Sequence, residues 1–552
     1  MASIIGTIKM LQDVKRLKHS LLPGGFISLL LLGFAFLLFF IFFLSQEDTS
    51  VIELDSRVFS LLQFTLYQAF LSTLLSLLVG LSLAWSLAHQ SNFKGRSLLV
   101  ALFSSSLVLP TLIVVFGLIA VLGRNGWVNQ LSLYLFDQSF GAYLYGLTGI
   151  LVAHVYLNAS FASRSLLHVF ESIPKEKYKL AKSLNFTTFQ RFIYVEWPAI
   201  RTTLLSIAST IFLLCFTSFA IVLVLGGSPA YNTLEVAIYE AVKLEFDITM
   251  ALKLALIQLA VTTFLVLFSS NFRTNIGNVR TGTLHIPWSE SKHVKRFQVA
   301  IITLFSLFFT LPLLAIIVDG LGAEFKRILA EPLFIKSFFT SMGLATVSSI
   351  LTVLFALFLS DTKRNFTLKH RLPYNTFSKV LNTIVSFSGN LYLAIPSLIM
   401  GLGFFLLSQT YEAPIAVWST LALLTANVLM SLPFALAVLA PVMQKTGQRY
   451  DKLVFSLNLT PLQRWVYCEY PYLKSSIGYV FALSFCFSLG DLGIIALFGS
   501  DDFLTLPWYL YQLMGSYRTS DAAGVALILL AITLCVFVLL PRLFRRSVAK
   551  DN

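Results

Sequence analysis

Two stretches decide the fold: Lys179-Leu-Ala-Lys-Ser-Leu-Asn-Phe-Thr-Thr-Phe-Gln-Arg-Phe-Ile-Tyr-Val-Glu-Trp-Pro198 and Lys452-Leu-Val-Phe-Ser-Leu-Asn-Leu-Thr-Pro-Leu-Gln-Arg-Trp-Val-Tyr-Cys-Glu-Tyr-Pro471. At an offset of 273 they agree at eleven of twenty positions, where chance gives about one. At the same offset Phe161-Ala162 meets Phe434-Ala435, and Gly226 meets Gly499. With small gaps, Leu109-Pro110-Thr111-Leu112-Ile113 meets Ile395-Pro396-Ser397-Leu398-Ile399, and Ala69 and Ser72 meet Ala345 and Ser348. The chain is therefore a duplication, and its most similar segments are polar loops rather than apolar runs. Lipid-facing helices accept any apolar residue and diverge freely. A loop that keeps its polar residues twice points to the same kind of partner met twice.

Around these loops the chain is apolar. Of its 552 residues 57% are hydrophobic and 12% charged, with a mean hydropathy of +0.80. A soluble domain carries about 25% charged residues, so a soluble enzyme, a disordered chain and a nucleic-acid-binding protein are all excluded. The net charge of +14 comes from basic residues in the loops. Cys215, Cys468, Cys486 and Cys535 lie far apart with no CxxC, which indicates neither a disulfide framework nor a zinc site.

A helical span needs about 20 mostly apolar residues, and twelve stretches qualify: 26–44, 61–88, 98–122, 141–160, 204–226, 248–268, 297–318, 337–359, 384–407, 414–440, 475–498 and 523–540. The runs lack the alternation of a barrel strand, and the first lacks a cleavage site after it. The fold class expected is an all-α polytopic membrane protein of about 12 transmembrane helices. With the N-terminus inside, 32 of the 40 Lys and Arg fall in inner segments and 7 in outer loops, Lys253 lying within a span. That bias places both termini in the cytoplasm. The expected organisation is a tail at 1–25, a first six-span unit at 26–285 with a long inner loop at 161–203, and a second at 286–552 with its loop at 441–474. Six spans per unit make the repeat parallel, with a pathway between the halves. Glu47, Asp48, Glu53, Asp55, Glu235, Glu240, Glu245, Asp247, Asp501 and Asp502 fall outside, an acidic face that suits a cationic solute or simply reflects the tolerance of outer loops for acids.

The doubled loop resembles the coupling motif of permease subunits of ATP-binding-cassette importers: Glu-Ala-Ala, three residues, Gly, nine residues, Ile, one residue, Leu-Pro. Its slots fall on Lys179-Leu180-Ala181, Asn185, Val195 and Trp197-Pro198, then on Lys452-Leu453-Val454, Asn458, Cys468 and Tyr470-Pro471. Both copies replace the Glu by Lys and the Gly by Asn. Asn is the non-Gly residue that best tolerates positive φ, so a turn after a short helix is expected to survive. By this resemblance, 172–185 and 445–458 are coupling helices that dock on two copies of a cytoplasmic ATP-binding subunit, with Glu196, Pro198, Glu469 and Pro471 closing the motif. Fusion of two units, together with Gly123-Arg-Asn-Gly-Trp127, Val195-Glu-Trp-Pro198, Gly490-Asp491, Phe498-Gly-Ser-Asp-Asp-Phe-Leu-Thr-Leu-Pro-Trp-Tyr-Leu-Tyr-Gln512 and Gly515-Ser-Tyr-Arg518, is similar to the thiamine permeases of Gram-negative bacteria. The resemblance implies the type I importer permease fold, an inner-membrane location, thiamine and its phosphates as solute, and a periplasmic substrate-binding protein as further partner.

The sequence contains no GxxxxGK[ST], HExxH or GxSxG, so no catalytic residue, cofactor or metal is assigned to this chain. ATP and Mg are expected in the partner ATPase. Asp491, inside the eleventh span, is a pathway candidate or a structural carboxylate, and Ser218 is its match in the first half. Pro110 and Pro396 are expected to kink matched spans and to act as gate elements or as simple packing breaks. Two rivals stay open. One is the same machine for ferric iron, a polyamine or an oxyanion. The other is a proton-coupled carrier of twelve spans, although such carriers usually place their long inner loop between spans six and seven, whereas the long loops here are 4–5 and 10–11 and the 2–3 loop is only His89 to Ser97.

Overall fold

The computed structural model describes residues 23–42, 55–270, 288, 290–367, 376–410, 414–500 and 502–545. The tail to residue 22, Glu47, Asp48, Glu53 and Asp501 lie outside them. Among the described residues the structure is helical, with one isolated bridge between Ser500 and Phe503.

Among the described residues ten helices are long and apolar enough to cross a membrane, or eleven when the pair 382–393 and 397–409, bent by 89°, counts as one span. Leu147–Ser172, at the fourth expected position, is long enough but carries buried His154, Asn158, Ser160 and Ser163. All twelve expected stretches fall largely on helix. Buried hydroxyls in these helices bond to the carbonyl one turn back, as in Thr65 to Leu61 (2.6 Å), Thr73 to Ala69 (2.7 Å) and Thr352 to Ser348 (2.8 Å). A polar side chain in an apolar phase is satisfied this way without a partner helix.

The chain forms two compact units whose limits are not those of the sequence repeat. One gathers Ser50–Glu331 and Tyr509–Leu530. In it Ser56–His89 and Leu147–Ser172 pack along their length, closest at Gly80, where an added Cβ would stand 2.7 Å from the Ala162 Cβ. Lys292–Leu321 lies across Thr111–Leu122, with Gly117 against the Pro312 carbonyl. Phe103, Tyr156, Phe305 and Phe309 form an aromatic cluster there, and the Tyr156 hydroxyl donates to the Phe309 carbonyl (2.7 Å).

The other unit gathers the described residues of 1–49, 332–508 and 531–552. Its frame is Pro332–Thr367, Ile415–Ser456 and Tyr470–Leu489. Pro23–Phe42 packs in this unit. Leu38 faces Gly403, Phe34 lies 5.6 Å from Phe404, and the Tyr392 hydroxyl donates to the Leu31 carbonyl (2.6 Å). The leading helix of each repeat is thus housed with the body of the other.

Candidate functional site

The two conserved-looking loops fold alike. Lys175–Ser183 ends at Leu184, Asn185 takes φ of 52°, and the Phe186 N–H closes on the Ala181 carbonyl (3.0 Å). In the second copy Asn458 takes φ of 49° and the Leu459 N–H closes on the Val454 carbonyl (3.2 Å). This is a left-handed helix stop with Asn in the place usually held by Gly. Thr187 with Gln190, and Thr460 with Gln463, then form matching capping boxes. Next come wide π turns, Phe192–Glu196 and Arg464–Glu469. Pro198 and Pro471 follow in the first turn of the next helix, where a missing N–H upstream disturbs the i to i−4 ladder.

The copies differ ahead of the turn. Ile415–Ser456 runs unbroken for 42 residues, whereas Leu147–Ser172 stops and Lys175–Ser183 starts anew. Pro174 causes the stop by driving Ile173 into extended backbone. At the matched place the second copy has Gly447, which is compatible with helix.

The motif residues divide by exposure. Lys179, Leu180, Lys452, Leu453, Asn185 and Asn458 face outward, while Ala181 and Val454 are buried. Glu196 and Glu469 are buried as well and hold the loop from within. Glu196 pairs with Arg191 Nε (2.9 Å), lies 3.0 Å from His89 Nε2 and accepts from Trp85 Nε1 (3.0 Å). Arg191 also reaches Glu290 (2.7 Å) and stacks 4.8 Å over the Trp288 ring. Glu469 pairs with Arg464 Nε (2.9 Å) and Arg364 Nη1 (2.5 Å), and Asp361 meets both arginines at 3.3 and 2.6 Å. The Arg-to-Glu pair at 191/196 recurs at 464/469 with the same atoms and the same distance. Beside it, burial and then Glu196 push the Tyr178 phenol well above its usual range.

Sequence reasoning missed several exposed apolar residues of these loops. Leu184 and Leu457, Phe189 and Leu462, and Tyr194 and Tyr467 are matched at the offset of 273 and all point to solvent, with Phe189 and Leu462 71% and 73% exposed. Their only signal was an apolar character kept twice in polar surroundings.

The four pathway candidates all sit at helix breaks. Pro110 and Pro396 do not merely kink their spans, as expected. Arg96–Ser105 ends and Thr111–Leu122 begins at Pro110, and the 89° bend precedes Ser397. Proline removes a ladder bond and excludes the preceding residue from the helix. Ser218 separates Trp197–Phe216 from Phe219–Leu225, and Asp491 separates Tyr470–Leu489 from Gly493–Phe498. Within one unit Thr111–Leu122 packs on Phe219–Leu225. Within the other, Ser397–Thr410 packs on Gly493–Phe498, with Gly401 close to Ile494 and Leu497. Asp491 Oδ1 accepts from the Gly493 N–H (3.2 Å) and so caps the second half-helix, while its buried Oδ2 has no partner among the described residues.

The acidic residues expected outside are partly committed to internal bonds. Glu235 is buried and accepts from Gln258 (2.9 Å), and Glu245 pairs with Arg57 (2.6 Å). At the corresponding corner of the other repeat the polarity reverses: Glu331 pairs with Arg518 (2.8 Å), which holds the Glu331 carboxyl below its usual range.

Residues 76–276 match the family described as binding-protein-dependent transport system inner membrane component. Over 511 residues, 92% of this chain and 93% of the relative, the chain is 37% identical to the thiamine transport system permease protein ThiP of Escherichia coli (strain K12). The chain belongs to this permease family. It is also 36% identical to the proteins of that name from Brucella abortus (strain 2308), with 88% of each chain covered, and Haemophilus influenzae (strain ATCC 51907 / DSM 11121 / KW20 / Rd), with 86% and 87% covered. It is thus a multi-pass inner-membrane permease subunit of an ATP-binding-cassette importer, with the paired loops and broken spans described above.

Proposed function

We propose that the chain carries thiamine, and its phosphates, across the inner membrane by alternating access. The observation that carries this reading is similarity over about nine tenths of the chain to thiamine transport permeases. Both termini lie in the cytoplasm, in line with the Lys and Arg bias. Two copies of an ATP-binding subunit, holding ATP and Mg, dock on the loops at 172–185 and 445–458. The matched exposed residues Leu184/Leu457, Phe189/Leu462 and Tyr194/Tyr467 give each copy the same apolar contact. Lys179, Leu180, Lys452 and Leu453 border that contact; Ala181, Val454, Asn185, Asn458, Pro198 and Pro471 shape the loop, and Glu196 and Glu469 anchor it. A periplasmic substrate-binding protein delivers the solute.

The breaks at Pro110, Ser218, Pro396 and Asp491 put irregular backbone inside the spans, an arrangement suited to a solute path. Thiamine has a fixed positive charge on its thiazolium ring, and the free Oδ2 of Asp491 supplies the complementary charge. Uptake of labelled thiamine into proteoliposomes containing the chain, its ATPase and a loaded binding protein tests the reading. Uptake dependent on internal ATP and insensitive to a protonophore is expected. Uptake that survives ATP removal, or that ferric iron, a polyamine or an oxyanion replaces, would overturn it.

A further inference from the structure

We propose that the surface of helix Lys292–Leu321 binds an anionic glycerophospholipid. Two adjoining open hollows of about 630 and 460 Å³ lie on this helix, the first bounded by its own side chains and the second also by Gln90, Phe93 and Leu99. They share Val299, Thr303 and Leu307, residues four apart that form one ridge along the helix. Val299, Leu304 and Leu307 are 48%, 72% and 53% exposed, so the grooves are open. Two apolar grooves on either side of one ridge match the two acyl chains of a single lipid.

The head of the first groove is basic. Lys292, Lys295 and Arg296 line it, all three are exposed, and among the described residues none of them makes an ion pair. Arg96, Arg191, Arg364 and Arg464, in other inner segments, are each paired with a carboxylate. The nearby Glu290 is already bound to Arg191. The three cations also occupy the first turns of their helix, which has no acidic residue there, so the positive end of the helix dipole adds to their charge. An uncompensated positive cluster above paired apolar grooves fits a lipid phosphate with its acyl chains. The undescribed segments expected on the inner side have the wrong sign: 1–22 carries Lys9, Lys15, Arg16 and Lys18 against Asp13, and 271–287 carries Arg273 and Arg280 with no acid.

The test is native mass spectrometry of the full-length chain, titrated with phosphatidylglycerol and with phosphatidylethanolamine of the same acyl composition. Wild type should retain phosphatidylglycerol at least about five-fold over phosphatidylethanolamine. The K292Q/K295Q/R296Q variant should fall to parity, and K292R/K295R should keep the preference. Ala300→Trp, which fills the first groove and leaves the charges in place, should lower retention of both lipids. Equal retention of the two lipids by wild type, a preference unchanged in the triple variant, or total retention unchanged in Ala300→Trp would overturn the proposal.

Discussion

Glu196 and Glu469 hold equivalent positions in different charge balances. Glu469 and Asp361 together face Arg364 and Arg464, whereas Glu196 and Glu290 face Arg191 beside His89. Neutralising Glu469 leaves the buried Arg364 and the part-buried Arg464 sharing Asp361, with a lesser pull from Asp451 on Arg364. Neutralising Glu196 leaves Arg191 still paired with Glu290. Breaking a buried pair costs about 3–5 kcal/mol, so Glu469→Gln should lower the thermal unfolding midpoint in detergent clearly more than Glu196→Gln. Equal falls would count against the charge assignment. The asparagine stops allow a second test. Replacing Asn185 or Asn458 by Ala forces a Cβ without a local hydrogen bond into left-handed backbone and should cost about 1–2 kcal/mol, while Gly should be neutral or better. Asn at this slot was readable in the sequence because few residues adopt positive φ. The inward aim of the two glutamates was not, because a loop sequence does not say which polar residues are buried.

Helices here are positioned by small residues and ended by breaks. Gly80 allows Ser56–His89 to approach Leu147–Ser172, and Gly343 in Pro332–Thr367 has nothing within 4 Å of an added Cβ. Gly80→Leu should therefore destabilise by about 1–3 kcal/mol or more through overpacking. Gly343→Leu, which gains helix propensity without a clash, should leave the unfolding midpoint unchanged or raised. The two outcomes are read in one thermal denaturation series. On the loop surface, Phe189→Glu with Leu462→Glu should abolish co-purification of the ATPase while the chain still inserts, since neither side chain has a structural role in the loop. Retained co-purification would move the contact elsewhere. The breaks were unevenly visible beforehand. Pro110, Pro396 and the Gly490-Asp491-Leu492-Gly493 run announce themselves, whereas Phe216-Thr217-Ser218 reads as continuous helix and breaks only in its packed setting.

At the scale of the molecule, twelve apolar stretches and their duplication could be read directly, because span length and repeat offset are properties of the sequence itself. The exchange of leading helices could not. A lipid-facing helix is apolar on most of its surface, so its pattern does not name the helices it packs against. Separate expression of residues 1–280 and 281–552 tests the exchange: the fragments should co-purify when made together, and each alone should be cleared by proteolysis, since each supplies a helix that the other's unit houses. The exchange also has a consequence for biogenesis. Pro23–Phe42 leaves the ribosome early, but its contacts with Tyr392, Gly403 and Phe404 wait for some 360 more residues. At bacterial elongation rates that is roughly 20 to 70 s spent in the bilayer without its native neighbours. A nascent chain truncated before that point strands its first helix, so completion of translation is itself the step that shields it from membrane proteases.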